Sequence, residues 1–138
     1  MPTKKTVMVF GVFDQLHPGH LFFLESAKKF GDHLIVVITR DTRVKSEKGR
    51  AAMFNEKERL RMVSALACVD HAILGDTGKT WGVVRRLKPA IICRGHDQTL
   101  GHPQFMAQQK TLKKPLKLVK IKPFHRDRYS SSRLRTSR

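Results

Sequence analysis

Apolar residues fall along this chain in short unbroken blocks, separated by longer stretches of helical periodicity. Val7-Met8-Val9-Phe10, Leu34-Ile35-Val36-Val37-Ile38, residues 69–74, Ala90-Ile91-Ile92-Cys93 and residues 116–121 each have the length of a strand. A run apolar at every position, such as 34–38, is buried on both faces, the pattern of a parallel sheet covered by helices. Only 116–121 alternates, in part, as an edge strand does. Helix-like stretches lie at 21–30, from Asn55 onward, at 80–87 and at 103–112. At Asn55 the start is marked by Glu58 three residues on, a capping-box pairing, with Glu56 in the first turn. The apolar stripe Leu60, Val63, Leu66, Ala67 leaves Arg59 and Arg61 outside it, so at least one is free to reach a ligand. The polar segment 40–50 reads as a long loop. Strands alternating with helices predict a doubly wound parallel sheet with right-handed crossovers. Such sheets bind ligands at the carboxyl ends of their strands, near the switch in strand order. The polar segments 11–20, 40–50, 94–98 and 125–135 each follow a predicted strand, and so predict one composite site.

The first of these segments carries the most chemistry. Gly11-Val12-Phe13-Asp14-Gln15-Leu16-His17-Pro18-Gly19-His20 joins the first strand to a helix. A helix start offers unpaired N–H groups and the positive end of the dipole, and Gly11 and Gly19 allow close approach where a Cβ would obstruct. His17 and His20 flank Pro18, which suits a first helical turn, so both imidazoles can face one anion. A structural pair or two metal ligands are the alternatives, and no third ligand follows at a helical spacing. The turn is therefore a phosphate site by its chemistry, but physics alone does not name the reaction.

Length and charge narrow the partners. At 138 residues one domain, 1–138, is expected. Cys68 and Cys93, both in apolar surroundings, read as reduced thiols rather than a disulfide framework. The apolar runs are too short for a signal peptide or a membrane span, so a soluble cytoplasmic protein is expected. The formal net charge is +17, and the last 29 residues hold eleven lysines and arginines against one acid, Asp127. Such a tail keeps nucleic acid among the candidate partners. Against it, the tail offers only Phe124 and Tyr129 for base stacking.

The string GVFDQLHPGH closely resembles the G-[TV]-F-D-x-L-H-x-G-H signature of the cytidylyltransferase-like nucleotidylyltransferases. The likeness extends through Arg40-Asp41, Val44-Lys45, Lys48-Gly49-Arg50, Glu58-Arg59, Val63-Ser64-Ala65-Leu66, Val69-Asp70, Leu87-Lys88-Pro89 and Gly95-x-Asp97-Gln98. Within that superfamily this pattern is most similar to the archaeal-type FAD synthases, which in turn resemble glycerol-3-phosphate cytidylyltransferases. The fold this implies is α/β, a single Rossmann-like HxGH nucleotidylyltransferase domain. Its five-stranded parallel sheet would be ordered 3-2-1-4-5, with helices on both faces.

The resemblance also assigns roles. It implies that His17, His20 and Lys45 act on the phosphates, and that Gly11, Val12, Phe13, Asp14 and Gly19 line them. Arg59 would anchor the triphosphate, and Gly95, Asp97 and Gln98 would face the base. The terminal Tyr129-Ser130-Ser131-Ser132-x-Leu134-Arg135 resembles the S-[ST]-[ST]-x-[IL]-[RK] element that holds β and γ phosphates. The implied reaction is transfer of AMP from ATP to FMN, giving FAD and pyrophosphate, with Mg²⁺ or another divalent cation on the phosphates and no metal cage of protein ligands. A homodimer is implied as well. Two alternatives stay open: a cytidylyltransferase making a CDP-alcohol from CTP, and a non-catalytic nucleic-acid-binding module. The pattern departs from cytidylyltransferases at Ala67, where they carry arginine, at Gln98, where an aromatic is usual, and at His125-Arg126-Asp127-Arg128, where they carry Arg-Thr-Glu-Gly.

Overall fold

The structure, a computed structural model, describes residues 5–76, 81–95 and 116–122. Strands β1 (Thr6–Gly11), β2 (His33–Ile38), β3 (His71–Leu74), β4 (Ile91–Arg94) and β5 (Lys117–Lys120) pair in parallel in the order β3-β2-β1-β4-β5. Between them run α1 (Pro18–Lys28), α2 (Asp41–Lys48), α3 (Glu56–Ser64) and α4 (Trp81–Leu87). The helix expected at 103–112 lies outside the described residues.

Alternation along the buried strands explains why their apolar runs are unbroken. Val7 and Val9 of β1 and Leu34, Val36 and Ile38 of β2 pack with Leu24 and Ala27 of α1 and Val63 of α3. Their neighbours Met8, Ile35 and Val37 pack with Val83 and Val84 of α4 on the other side. Each face of the sheet thus has its own helices, and both residue parities must be apolar. β5 takes an edge, as its alternation predicted, with Lys117 and Lys120 exposed.

Two expectations about element bounds are corrected. Segment 40–50 is mostly helix, not loop. Its sequence lacks an apolar stripe, and only Val44 is buried. What holds it is polar: Asp41 in the first turn, an Arg43–Glu47 pair one turn apart at 2.8 Å, and Gly49 at φ 72° closing the helix in the left-handed conformation. The third strand begins at His71 rather than Val69. Asp70 is spent as a fastener, because its carboxylate accepts from Leu34 N at 2.7 Å and pairs with Lys28, while its own N–H reaches Leu34 O at 3.1 Å. The Lys28 ammonium and then the Leu34 amide hold that carboxyl below its ordinary value.

Both cysteines are free thiols. Burial pushes Cys93 up to about 11 and raises half-buried Cys68 as well, so neither is poised as a thiolate. Among the described residues no helix is long and apolar enough to cross a membrane.

Candidate active site

β1 lies beside β4, so the chain order reverses between them, and α1 starts from the carboxyl end of β1 at that switch point. The connection is built from the inside out. Phe13 adopts φ 51°, a left-handed conformation that a bulky residue holds only when its surroundings enforce it. Here the ring is buried against Gly11, where a Cβ would stand 2.6 Å from Phe13 Cε2. Gly11 therefore makes room for Phe13. The Phe13 ring meets His20 edge-on at 5.4 Å, and His20 stacks on His17 with centroids 3.9 Å apart and planes at 28°. One line of contacts thus runs from a glycine in the strand to both imidazoles. Gly11→Ala is expected to cost about 1–3 kcal/mol of stability through overpacking and to lower turnover by displacing His20. Urea denaturation with turnover measured in parallel checks it, and an unchanged enzyme would disconnect Gly11 from the histidines.

His17 caps α1. Its Nδ1 accepts from Gly19 N at 3.0 Å, and its carbonyl accepts from His20 N at 2.9 Å and Leu21 N at 3.2 Å. Pro18 has no N–H to offer. The first-turn amides are therefore committed to His17, which corrects the expectation that they would face phosphates. What α1 presents to an anion is its dipole and two imidazoles. Because Nδ1 is an acceptor, Nε2 carries the proton, and burial lowers the His17 pKa so that the ring is a neutral donor near pH 7.

The neighbouring helix starts are closed to anions by their own acids. Asp41 N donates to Glu56 Oε1 at 2.8 Å, and Glu56 N donates to Asp41 Oδ2 at 3.0 Å, so α2 and α3 cap each other. Arg40 lies against Glu56 at 3.3 Å and donates to Gly75 O at 2.5 Å, tying this corner to the end of β3. By contrast α1 has no acid in its first turn. Of the starts of α1, α2 and α3, that of α1 is the one with no acid in its first turn.

Arg59 is corrected outright. Its side chain is fully buried, and the guanidinium donates to Phe54 O at 3.0 Å, Val12 O at 2.9 Å and Asp41 Oδ1 at 2.7 Å. Rather than anchoring a triphosphate, it holds the signature turn to the α2–α3 connection; Arg61 is the exposed one of the pair. Asp14 answers from the other side: it is buried, and its two oxygens accept from Met53 N at 2.8 Å and Phe54 N at 2.9 Å. Phe13 and Asp14 are buried beneath the turn, and Val12 is half-buried with its carbonyl held by Arg59. The capping box of α3 is formed as expected, Asn55 with Glu58. Lys45 is exposed on α2, and Gly95 directly follows β4, both at the carboxyl edge of the sheet. Asp97, Gln98, Tyr129, Ser130, Ser131, Ser132 and Arg135 lie outside the described residues. Sequence reasoning missed Arg40, Asp41, Glu56 and Met53. The first-turn acids were visible, but nothing in their spacing says that each serves the other helix.

A cytidylyltransferase-like family model matches residues 8–137. The chain belongs to the cytidylyltransferase-like family. Among members of this family, the FAD synthase of Thermoplasma volcanium is 39% identical over 129 residues, covering 94% of this chain and 90% of that protein. The FAD synthase of Picrophilus torridus is 38% identical, covering 94% and 92%. A crystal structure described as a lipopolysaccharide core biosynthesis protein from Thermoplasma volcanium superposes with a TM-score of 0.81 at 38% identity, covering 88% of this chain and 99% of that one. A pantoate-β-alanine ligase from Francisella tularensis, at TM-score 0.61 and 12% identity, shares the fold alone. The protein is a nucleotidyltransferase.

Proposed function

We propose that this enzyme transfers AMP from ATP to the phosphate of FMN, forming FAD and releasing pyrophosphate. The observation that carries the chemistry is the stacked His17–His20 pair at the acid-free start of α1. The choice of FMN and ATP is supported by the name FAD synthase on relatives that match this chain nearly end to end.

The FMN phosphate has its second pKa near 6 and is largely a dianion at neutral pH, so its oxygen attacks without a general base. The new bond forms between that oxygen and the α-phosphorus of ATP, while the bond to the bridging oxygen breaks and pyrophosphate leaves in line. The protein's task is positioning and stabilising negative charge on the transferring phosphoryl group. Nε2–H of neutral His17, the His20 ring stacked on it and the α1 dipole act together there. Lys45 and the terminal Ser130-Ser131-Ser132 element would add charge and donors around the acceptor and the leaving group.

A divalent cation such as Mg²⁺ belongs to this reading through the nucleotide. Among the described residues no three His, Cys, Asp or Glu side chains gather into a metal cage, and Asp14 is committed to two amides. The ion would be held by the triphosphate and water, and no step is routed through it.

ATP with FMN and Mg²⁺ is expected to give FAD and pyrophosphate faster than any combination containing CTP. Chromatographic product analysis of ATP or CTP crossed with FMN or glycerol 3-phosphate checks it. CDP-glycerol without FAD would transfer the proposal to the cytidylyltransferase reading.

A further inference from the structure

Three large apolar side chains are exposed among the described residues: Leu21, Phe30 and, at 51%, Met53. Exposure alone is ordinary. Met53 differs in how it is held and where. Its backbone N–H is fixed by Asp14, three residues before His17, and its Sδ lies 3.1 Å from Gln15 Nε2, two residues before His17. The next amide, Phe54 N, is fixed by the same carboxylate, and the Phe54 carbonyl by buried Arg59. A flexible, polarisable side chain is thus carried on an anchored stub at the rim of the phosphate site. A thioether in that position suits the face or edge of a flat ring.

Topology tells which ring. β1 is flanked by β4 on one side and β2 on the other. Met53 belongs to the connection between α2 and α3, which follow β2, whereas Gly95 follows β4. In the proposed reading the nucleotide base takes the Gly95 side, which leaves the β2 side, where Met53 stands, to the second substrate. We infer that Met53, steadied by Gln15, is a specificity-determining residue that packs against the flat apolar ring system of the phosphorylated acceptor. The inference rests on the proposed transfer to FMN and adds the residue that recognises the flavin ring as distinct from its phosphate.

The test compares wild type with Met53→Ala, Met53→Leu and Phe30→Ala in steady-state FAD synthesis, varying FMN and ATP separately. Losing the thioether contact should raise KM for FMN about tenfold, with KM for ATP moving less than twofold. Met53→Leu should restore most of the affinity, since it keeps the apolar bulk. Phe30→Ala, at the opposite end of α1, should match wild type. Flavin fluorescence polarisation without ATP should show the same loss of FMN affinity in Met53→Ala. Unchanged KM for FMN, or a rise confined to ATP, would overturn the inference while leaving the proposed reaction standing. Wild-type enzyme inert toward FMN would overturn both.

Discussion

Alanine at position 20 should lower kcat by roughly 10²–10³, the usual loss for one preorganised donor, while KM for the nucleotide changes far less. The reason is positional. The α1 dipole already attracts the ground-state anion, so the imidazole counts most as charge builds on the α-phosphoryl oxygens. His17→Asn separates chemistry from architecture. Asparagine is among the best N-cap residues, so the acceptor for Gly19 N survives while the Nε2 donor is lost. This variant should fold normally and turn over slowly. It should also lose a pH dependence. Folded His17 has a lowered pKa, so between that value and about 6.5 the unfolded chain binds more protons. Stability therefore falls as pH drops through that window in wild type, and His17→Asn removes that contribution. Melting temperatures from about pH 5 to 7 and steady-state kinetics at neutral pH check both halves. A His20→Ala enzyme with its kcat intact would reduce the histidine to a packing or binding role.

Arg59→Met should cost roughly 2–5 kcal/mol, from leaving two part-buried carbonyls, Val12 and Phe54, without their donors at about 1–3 kcal/mol each. Asp41 loses its partner as well, but its side chain is 42% exposed and water can take over part of that role. Against a typical total of about 5–15 kcal/mol, the loss is large. Lysine should rescue little, because one ammonium cannot span the three acceptors that the guanidinium fork reaches. Urea denaturation measures the effect, and a change below about 1 kcal/mol would show that the neighbouring loop closes over the gap.

The strands were legible because burial on two faces leaves no polar position to interrupt them, and β5 was legible as an edge for the opposite reason. The start of α3 was legible because Asn55 and Glu58 interact within one turn. Helix α2 was not, since its stability comes from Glu56, fifteen residues away, and from a charge pair that a solvated loop could equally carry. Arg59 misled for a related reason. A cation beside an apolar stripe is ordinarily solvated, and only the folded chain reveals the carbonyls and carboxylate gathered around it. At the signature, the resemblance located the site, but the string does not say which of its residues face inward. Phe13 and Asp14 do, while the two imidazoles are only partly buried.

The mutual capping of α2 and α3 makes the electrostatics of the rim uneven. At the rim shared by the three helices, two starts are neutralised by the Asp41–Glu56 exchange and its arginines, and one, at His17, keeps its pull. In the proposed reading the α2 and α3 starts add little pull of their own on a chain of phosphates, so any attraction on that flank would come from side chains such as Lys45. The dipole felt by the transferring phosphoryl group would then be that of α1.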